Sequence, residues 1–454
     1  MNSNCNRRDF LKLGAAAGAG FTMAAAGLSG CENMLKGRMT QPFEQFSAPP
    51  IETVRVGYVG LGGMGSNHIR NLLDIEGVEI RAVCDIVEEK VAKTQKRVQE
   101  AGFNKPAGYS RGETDFKRMC EKEDLDLVYT ATPWEWHVPV CVAAMESGKH
   151  AATEVPAAVT IDECWQLVET AEKTRRHCLM MENACYGRTE MAVLNMVRQG
   201  LLGELLHGEA GYMHDLRHTK LVLKGEGLWR GEYSVKRNGN LYPTHGLGPI
   251  SQCMNINRGD KFDYLVSMST NARGLKLFAT KMFGPDHPRA KRDYANGDVN
   301  FSLIKTANGL TIVLGHDCDT PRPYSRINLV QGTKGIFRGY PDELIYIEAT
   351  SPKPHTWEPF EEYRKKYDHP LWKKLGERGK KATHGSMDYI EDYRLIECLR
   401  AGKPTDQDVY DAASWSVVSG LSEWSVAHKS KPIDFPDFTR GKWKIRQPLG
   451  IIGA

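Results

Sequence analysis

From residue 51 to about residue 180, apolar positions fall in short β-branched bursts, each followed by a longer stretch with apolar residues at helical spacing. That alternation predicts a parallel sheet with helices on both faces. Val54, Val56, Tyr58 and Val59 make the first burst, with Gly60, Gly62 and Gly65 behind it, and Ile69, Leu72 and Leu73 then give a helix its buried face. Val78, Ile80 and Val83 form the second strand, Leu125 to Thr130 the third clear one, and Cys178 to Met181 the last, ending at Asn183. Thr160 and Glu163 read as a capping box opening the helix before that last strand.

Beyond Gly187 the pattern changes to long alternating segments. Strands are expected at 207–214, 264–270, 299–306 and 310–315, with Asn308-Gly309 as a hairpin turn between the last two. Such alternation predicts a largely antiparallel sheet with helices on one face and the other face free for a site or an interface. Two late helices, near 386–402 and 406–428, are expected to pack back on the body. The fold class is therefore α/β plus α+β: a doubly wound parallel sheet over 51–183, then an open, largely antiparallel sheet domain over 184–454.

The glycines turn this pattern into a chemical expectation. Gly60, Gly62 and Gly65 have the spacing of a dinucleotide-binding turn between a strand and a helix. The first allows a tight turn, the second admits a pyrophosphate to the backbone, and the third lets the helix pack against the sheet. The helix N-terminus then faces the phosphates. Asp85, at the end of the second strand and about 20 residues further on, is placed to bind the ribose diol and to repel a 2′-phosphate, so NAD is expected rather than NADP.

The formal net charge of +4 is mild and the basic residues are scattered, which argues against a nucleic-acid partner. Eleven cysteines without a C-x-x-C pair suit small buried thiols better than a disulfide framework or a metal site, and no metal is expected. The N-terminus reads as a targeting segment. Arg7 and Arg8 followed by Phe10, Leu11 and Lys12 resemble a twin-arginine export signal, and Leu28-Ser29-Gly30-Cys31 resembles a bacterial lipobox that leaves a lipid-bearing Cys31. Residues 1–31 are thus expected to be a signal and 32–50 a tether. The mature protein would be lipid-anchored in the cell envelope, facing the periplasm or the cell surface.

Strand ends on one edge of a parallel sheet are where ligands bind. Thr132-Pro133-Trp134-Glu135-Trp136-His137 and Glu154-Val155-Pro156 both fall there. Trp134 and Trp136 read equally well as core. His245 stands in Tyr242-Pro243-Thr244-His245-Gly246-Leu247-Gly248-Pro249, which reads as a Pro/Gly-rich loop, and near neutral pH an imidazole there can take or give a proton.

After residue 50 the chain resembles the Gfo/Idh/MocA oxidoreductases, an N-terminal Rossmann domain followed by a sheet domain. Members usually carry Glu-Lys-Pro where this chain has Glu154-Val155-Pro156. That departure, with the Trp134 to His137 run and Tyr242 to His245, resembles glycoside hydrolase family 109. The resemblance implies tightly held NAD and cleavage of α-N-acetylgalactosaminides through an oxidation, elimination, water addition and reduction cycle. It places cofactor contacts on Gly62, Gly63, Asp85, Trp134, Glu135, Trp136, His137, Glu154, Val155 and Asn183, with Arg230 beside them. Sugar contacts fall on Tyr212, Tyr242, Pro243, Thr244, His245 and Tyr324, with His245 and Tyr242 handling protons. The partner implied is a glycan ending in N-acetylgalactosamine, with a homo-oligomer possible through the second sheet. Two other readings stay open: an exported sugar oxidoreductase with non-dissociating cofactor, and a non-catalytic sugar-binding lipoprotein.

Overall fold

The computed structural model describes residues 48–378 and 384–453. Arg7, Arg8, Cys31 and most of the expected tether lie outside the described residues. Within them, no helix is long and apolar enough to cross a membrane.

The first sheet has strand order β3-β2-β1-β4-β5-β6. Its strands are β1 (Val54–Val59), β2 (Val78–Cys84), β3 (Ala107–Tyr109), β4 (Leu127–Thr130), β5 (His150–Thr153) and β6 (Cys178–Met180). All pairings are parallel. The order reverses between β1 and β4, so a crevice opens outside their carboxyl ends, where a doubly wound fold binds its dinucleotide. The strands read as near-continuous apolar runs because both faces are covered; every residue of β4 and β5 is buried. β3 has only three residues, too short to show alternation, and was not expected.

Helix α1 (Gly63–Leu73) follows β1, and Ile69 and Leu72 on it are fully buried. Helix α2 (Ile161–Thr174) starts at Thr160, whose hydroxyl accepts from the Glu163 amide while the Glu163 carboxylate accepts from the Thr160 amide. That capping box is as read from the sequence. The described cysteines are free and buried.

The second sheet runs β14-β13-β12-β11-β7-β10-β9-β8-β15. The four expected strands are β7 (Leu205–Met213), β8 (Phe262–Ser269), β9 (Asn300–Thr306) and β10 (Thr311–Asp317). β9 and β10 form the expected hairpin, with Gly309 at φ +96° in its turn. β7 and β10 pair in parallel, and the other pairings are antiparallel. Five short strands were not expected: β11 (Leu329–Gly332), β12 (Gly335–Arg338), β13 (Leu344–Ile347), β14 (Glu358–Pro359) and β15 (Ile433–Asp434). One face is covered by helices, while Met268, Phe301 and Leu303 stand exposed on the other.

Later helices pack on both domains. α3 (Thr244–Cys253) lies on β7, α4 (Met387–Ala401) lies against α1, and α5 (Val409–Ser416) lies against α2. A single helix was expected over 406–428; the chain instead forms α5 and α6 (Val418–Ala427), joined at Val417. α5 starts only after Asp408, whose side chain caps the Tyr410 and Asp411 amides. Asp406 and Gln407 are held elsewhere by their side chains, Asp406 by Arg394 and Gln407 by the backbone of Glu182.

Candidate active site

The glycine turn has the shape its spacing predicts. Gly60 sits at φ +88°, and a Cβ there would lie 2.6 Å from the Ala131 carbonyl oxygen. At Gly65 a Cβ would come within 2.0 Å of the Gly60 carbonyl oxygen, so only glycine lets α1 start this close to β1. At Gly62 and Gly63 it would meet nothing within 4 Å. Those two positions therefore face open space at the N-terminus of α1, a cradle with room for a pyrophosphate, so the residues present fit a dinucleotide.

Asp85 is buried, and its carboxylate accepts from the Leu61 amide at 2.7 Å and from the Val87 amide at 2.9 Å. Besides marking where a ribose diol would lie, it thus holds the glycine turn in shape. A carboxylate can accept about four hydrogen bonds, so these two leave capacity for a diol.

At the end of β5, Glu154 accepts from His68 Nε2 at 2.7 Å, and Asp392 of α4 faces His68 Nδ1 at 2.9 Å. Burial works against a charged His68 ring, but the flanking Asp392 and Glu154 outweigh it and hold its pKa well above the usual imidazole value. This pair ties α1, β5 and α4 together. Val155 beside it is buried. Asn183 donates to Asp388 of α4 at 2.6 Å.

Of the Trp134 to His137 run, Trp134 faces the second domain. Its ring stands 4.8 Å from that of Tyr233, 5.2 Å from Trp229 and 5.7 Å from Tyr242, with the Arg230 guanidinium 5.1 Å from its centroid. Glu135 accepts from the Tyr233 hydroxyl at 3.1 Å, and Trp136 packs against Phe116 at 6.1 Å. His137 is buried with its ring nitrogens 2.8 Å from the Pro156 carbonyl and 2.9 Å from the Thr132 carbonyl. It therefore braces the two strand-end loops, and burial lowers its pKa.

His245 is not in a loop: it is the second residue of α3, which begins at Thr244 with Pro243 as its cap. The glycines that suggest a loop are packing glycines. A Cβ on Gly246 would lie 2.3 Å from the Gly211 amide nitrogen of β7, and one on Gly248 would lie 2.9 Å from Cys185 Sγ and 3.0 Å from Glu182 Cγ. Their absence lets the helix lie directly on β7 and on the turn after β6. His245 Nδ1 consequently stands 2.7 Å from Glu182 Oε1. Glu182 is fully buried, and a carboxylate only accepts, so Nδ1 is the donor of this pair.

Glu182 is itself fixed. Its backbone is clamped by the Gln407 side-chain amide, which accepts from the Glu182 N–H and donates to its carbonyl, each at 3.0 Å. Sequence reasoning named its neighbour Asn183 and missed both Glu182 and Gln407. The position of Glu182 at the end of β6 was a usable signal, whereas nothing local marks Gln407.

Around His245 stand Tyr242 at 5.0 Å and Tyr212 at 5.2 Å between ring centroids, with Tyr324 6.2 Å from Tyr212. Burial raises the pKa values of Tyr212 and Tyr242, so both hydroxyls stay protonated near neutrality. The Tyr212 hydroxyl stands 2.9 Å from His214 Nδ1. Thr244 is buried with its hydroxyl lacking a partner among the described residues. The structure thus gathers Tyr212, Tyr242, Pro243, Thr244, His245, Tyr324, Arg230 and Trp134 into one aromatic wall with a histidine–carboxylate pair in it.

Comparison with known proteins agrees with both halves of this architecture. Residues 54–182 match the model of the oxidoreductase family with an NAD-binding Rossmann fold, and residues 186–445 match the C-terminal domain of glycosyl hydrolase 109. A glycosyl hydrolase family 109 protein of Shewanella pealeana is 50% identical over 453 residues, covering 99% of each chain. The alpha-N-acetylgalactosaminidase of Shewanella oneidensis is 47% identical over 457 residues, covering 99% of this chain and all of that one (100%). Among solved structures, levoglucosan dehydrogenase in complex with NADH superposes with a TM-score of 0.66 at 17% identity, covering 85% of this chain and 99% of that one. An inositol dehydrogenase homolog from Azotobacter vinelandii complexed with NAD+ has a TM-score of 0.63 at 18% identity, covering 87% of this chain and 100% of that one. An NAD-binding parallel sheet joined to a sheet domain in which a histidine meets a buried carboxylate, matched over almost its whole length, places this chain in glycosyl hydrolase family 109 as a glycoside hydrolase.

Proposed function

We propose that this glycoside hydrolase removes terminal α-linked N-acetylgalactosamine in a cycle with no net change in cofactor redox state. The observation that carries the reading is the pairing of His245 with buried Glu182 inside a wall of tyrosines, on the edge of the sheet where the glycine cradle opens. The relative from Shewanella oneidensis supplies the sugar. Gly62, Gly63 and Asp85 would hold NAD, which when bound would supply transient oxidation of a sugar hydroxyl and its reversal.

The chain's own residues handle protons and position. Nε2 of His245 takes the proton at C2, next to the oxidised C3; the freed electron pair forms a C1–C2 double bond as the C1–O bond breaks and the aglycone oxygen picks up a proton, after which water adds at C1 and C2 regains its proton. Glu182 stabilises the imidazolium that forms and keeps the ring aimed. The tyrosine hydroxyls, protonated near neutrality, donate to sugar oxygens, and Tyr242 relays a proton beside His245. Arg230, paired with Glu226 and lying over the Trp134 and Tyr242 rings, keeps that wall stiff.

The export signal, the lipid on Cys31 and a second copy docked on the exposed sheet face belong to the same proposal. Replacing Arg7 and Arg8 by lysine should retain the protein in the cytoplasm, and Cys31→Ala should release it from membranes. The chemistry is tested with an aryl α-N-acetylgalactosaminide in deuterated water. Aglycone release with deuterium at C2 of the sugar and no accumulated reduced nicotinamide is expected. Stoichiometric reduction of the cofactor with no aglycone released would instead favour a sugar oxidoreductase.

A further inference from the structure

Near the C-terminus, Lys442-Trp443-Lys444 forms one 3₁₀ turn, and Ile445 follows it. Ile445 is 71% exposed, more than any other large hydrophobic side chain among the described residues. That exposure is imposed by its neighbours. Arg446 is buried, donates to the Asn257 carbonyl at 3.1 Å, pairs with Asp408 and lies 4.7 Å from the Tyr410 ring centroid. The Trp443 carbonyl accepts from the Gly259 amide at 2.7 Å, and the Trp443 amide donates to the Thr439 hydroxyl at 3.1 Å. With the backbone pinned on both sides, the isoleucine has no room to turn inward.

The side chains around it are basic and aromatic. The Lys444 ammonium stands 5.3 Å from the Trp443 ring centroid and meets no carboxylate among the described residues. Lys442 precedes Trp443 directly. The Gly259 carbonyl accepts from the Asn308 side chain at 2.9 Å, which brings the Asn308-Gly309 hairpin beside the run, with Lys305 Nζ 2.6 Å from the Gly309 carbonyl. The nearby acids are used inward. Asp408 answers Arg446 and Arg258, Asp437 accepts from the Thr439 and Gly441 amides, and Asp260 accepts from the Lys261 and Asn308 amides. None of the three is exposed. Lysines around an indole and an aliphatic side chain match a membrane surface. Ammonium groups meet anionic headgroups, an indole sits at headgroup level, and an aliphatic chain enters the acyl boundary. A purely ionic partner would leave Ile445 in water.

The place of the run in the molecule favours the same occupant. The chain enters the body against the end of α4: the Ile51 amide donates to the Leu399 carbonyl at 3.2 Å, and a Cβ on Gly402 would lie 2.8 Å from the Ala48 carbonyl oxygen. From Gly402 the chain runs to Asp408, the partner of Arg446, a span of at most about 20 Å when fully extended. Cys31 lies 17 residues before Ala48, so a lipid there would hold a membrane within about 60 Å of this entry point.

We infer that Lys442, Trp443, Lys444 and Ile445 dock on a bilayer surface that carries anionic phospholipid headgroups. This rests on the lipid-anchor reading above and adds an orientation to it. A lipid on Cys31 limits how far the body can stray, whereas the docked run decides which side of the body faces the membrane.

The test uses the full chain purified with its lipid and added to preformed vesicles of phosphatidylcholine, with or without phosphatidylglycerol. Gln447→Cys places a thiol on an exposed position beside the run, and the described cysteines of the chain itself are buried. Labelling of that thiol by a membrane-impermeant maleimide should slow several-fold on the vesicles containing phosphatidylglycerol and stay fast on phosphatidylcholine alone. Adding Lys442→Glu and Lys444→Glu should restore fast labelling, since each lysine lost weakens the contact by ~5-fold. Lys93→Cys, on an exposed position of another helix, should label alike on both vesicles. Equal labelling of Gln447→Cys on the two vesicles, equal slowing at Lys93→Cys, or slowing that survives the loss of both lysines would overturn the docking surface. If the chain stays in solution beside phosphatidylcholine vesicles and mass spectrometry finds no lipid on Cys31, the anchor reading falls. Sedimentation with phosphatidylglycerol vesicles at low salt then decides the run by itself: binding that the two lysine changes abolish supports it, and binding that is absent or unchanged overturns it.

Discussion

Glu182 and His245 meet at 2.7 Å although one follows the last strand of the first domain and the other opens a helix of the second. His245→Ala should lower kcat by ~10²–10⁴-fold, the usual contribution of a proton-transfer group. Glu182→Gln keeps the shape but turns an obligate acceptor into an amide that can present its NH₂ to Nδ1, so it should cost a large part of the same factor, with KM little changed. Steady-state kinetics on an aryl glycoside measures both; full activity in either variant would remove the pair from the mechanism.

Asp85→Ala should weaken the cofactor cradle twice over, by leaving the Leu61 and Val87 amides without their acceptor and by removing a partner for the ribose. The dinucleotide released on denaturing purified protein should fall well below one per chain, and added NAD should bind more weakly. Unchanged occupancy would show that the carboxylate serves the turn alone.

Gly246→Ala probes the helix–strand contact, since its Cβ would fall 2.3 Å from a backbone nitrogen of β7. Backbone cannot give way as a flexible side chain can, so α3 must lift. A loss of ~1–3 kcal/mol is expected from overpacking, together with a fall in kcat as His245 moves from Glu182. Denaturant unfolding and kinetics on the same preparation check whether the two losses go together.

Glu391, buried on α4 with Oε1 lacking a partner among the described residues, has its pKa raised well above 4.5 by burial, with His68 opposing and Asp392, Glu154 and Asp388 reinforcing. The sign follows from which state holds the proton. Below about pH 4.5 both folded and unfolded chains hold it, and there is no penalty; as pH rises the unfolded carboxyl ionises first, so the folded state loses relative stability until its own pKa is reached. Glu391→Gln removes that proton equilibrium. Its melting temperature relative to the parent should rise with pH above this point, and a difference that stays flat between pH 4 and pH 8 would contradict the assignment.

What could be read before the fold was seen divides by the range of the interaction. The glycine turn, the Thr160 capping box and the Asn308-Gly309 hairpin are local, written within a few residues each, and stand where they were expected. The loop reading around His245 failed because Gly246 and Gly248 answer to Gly211, Cys185 and Glu182, neighbours distant in the chain. Strands β11 to β15 hold two to four residues each, fewer than a period-two pattern needs to declare itself. The candidate site could be approached where resemblance or a strand end pointed to it, as at His245 and Glu154. It was silent at His68, Asp392 and Gln407, which matter only through partners far along the chain.

The Gln407 clamp has a mechanical consequence. Glu182 hangs from the first domain, His245 from the second, and Gln407 returns from the far end of the chain to grip the same residue by its backbone. Any opening of the cleft by swinging one domain away would have to break this three-way knot, in which every member is buried or nearly so. A ligand would therefore have to come and go through a mouth in a stiff body rather than by the parting of the two domains.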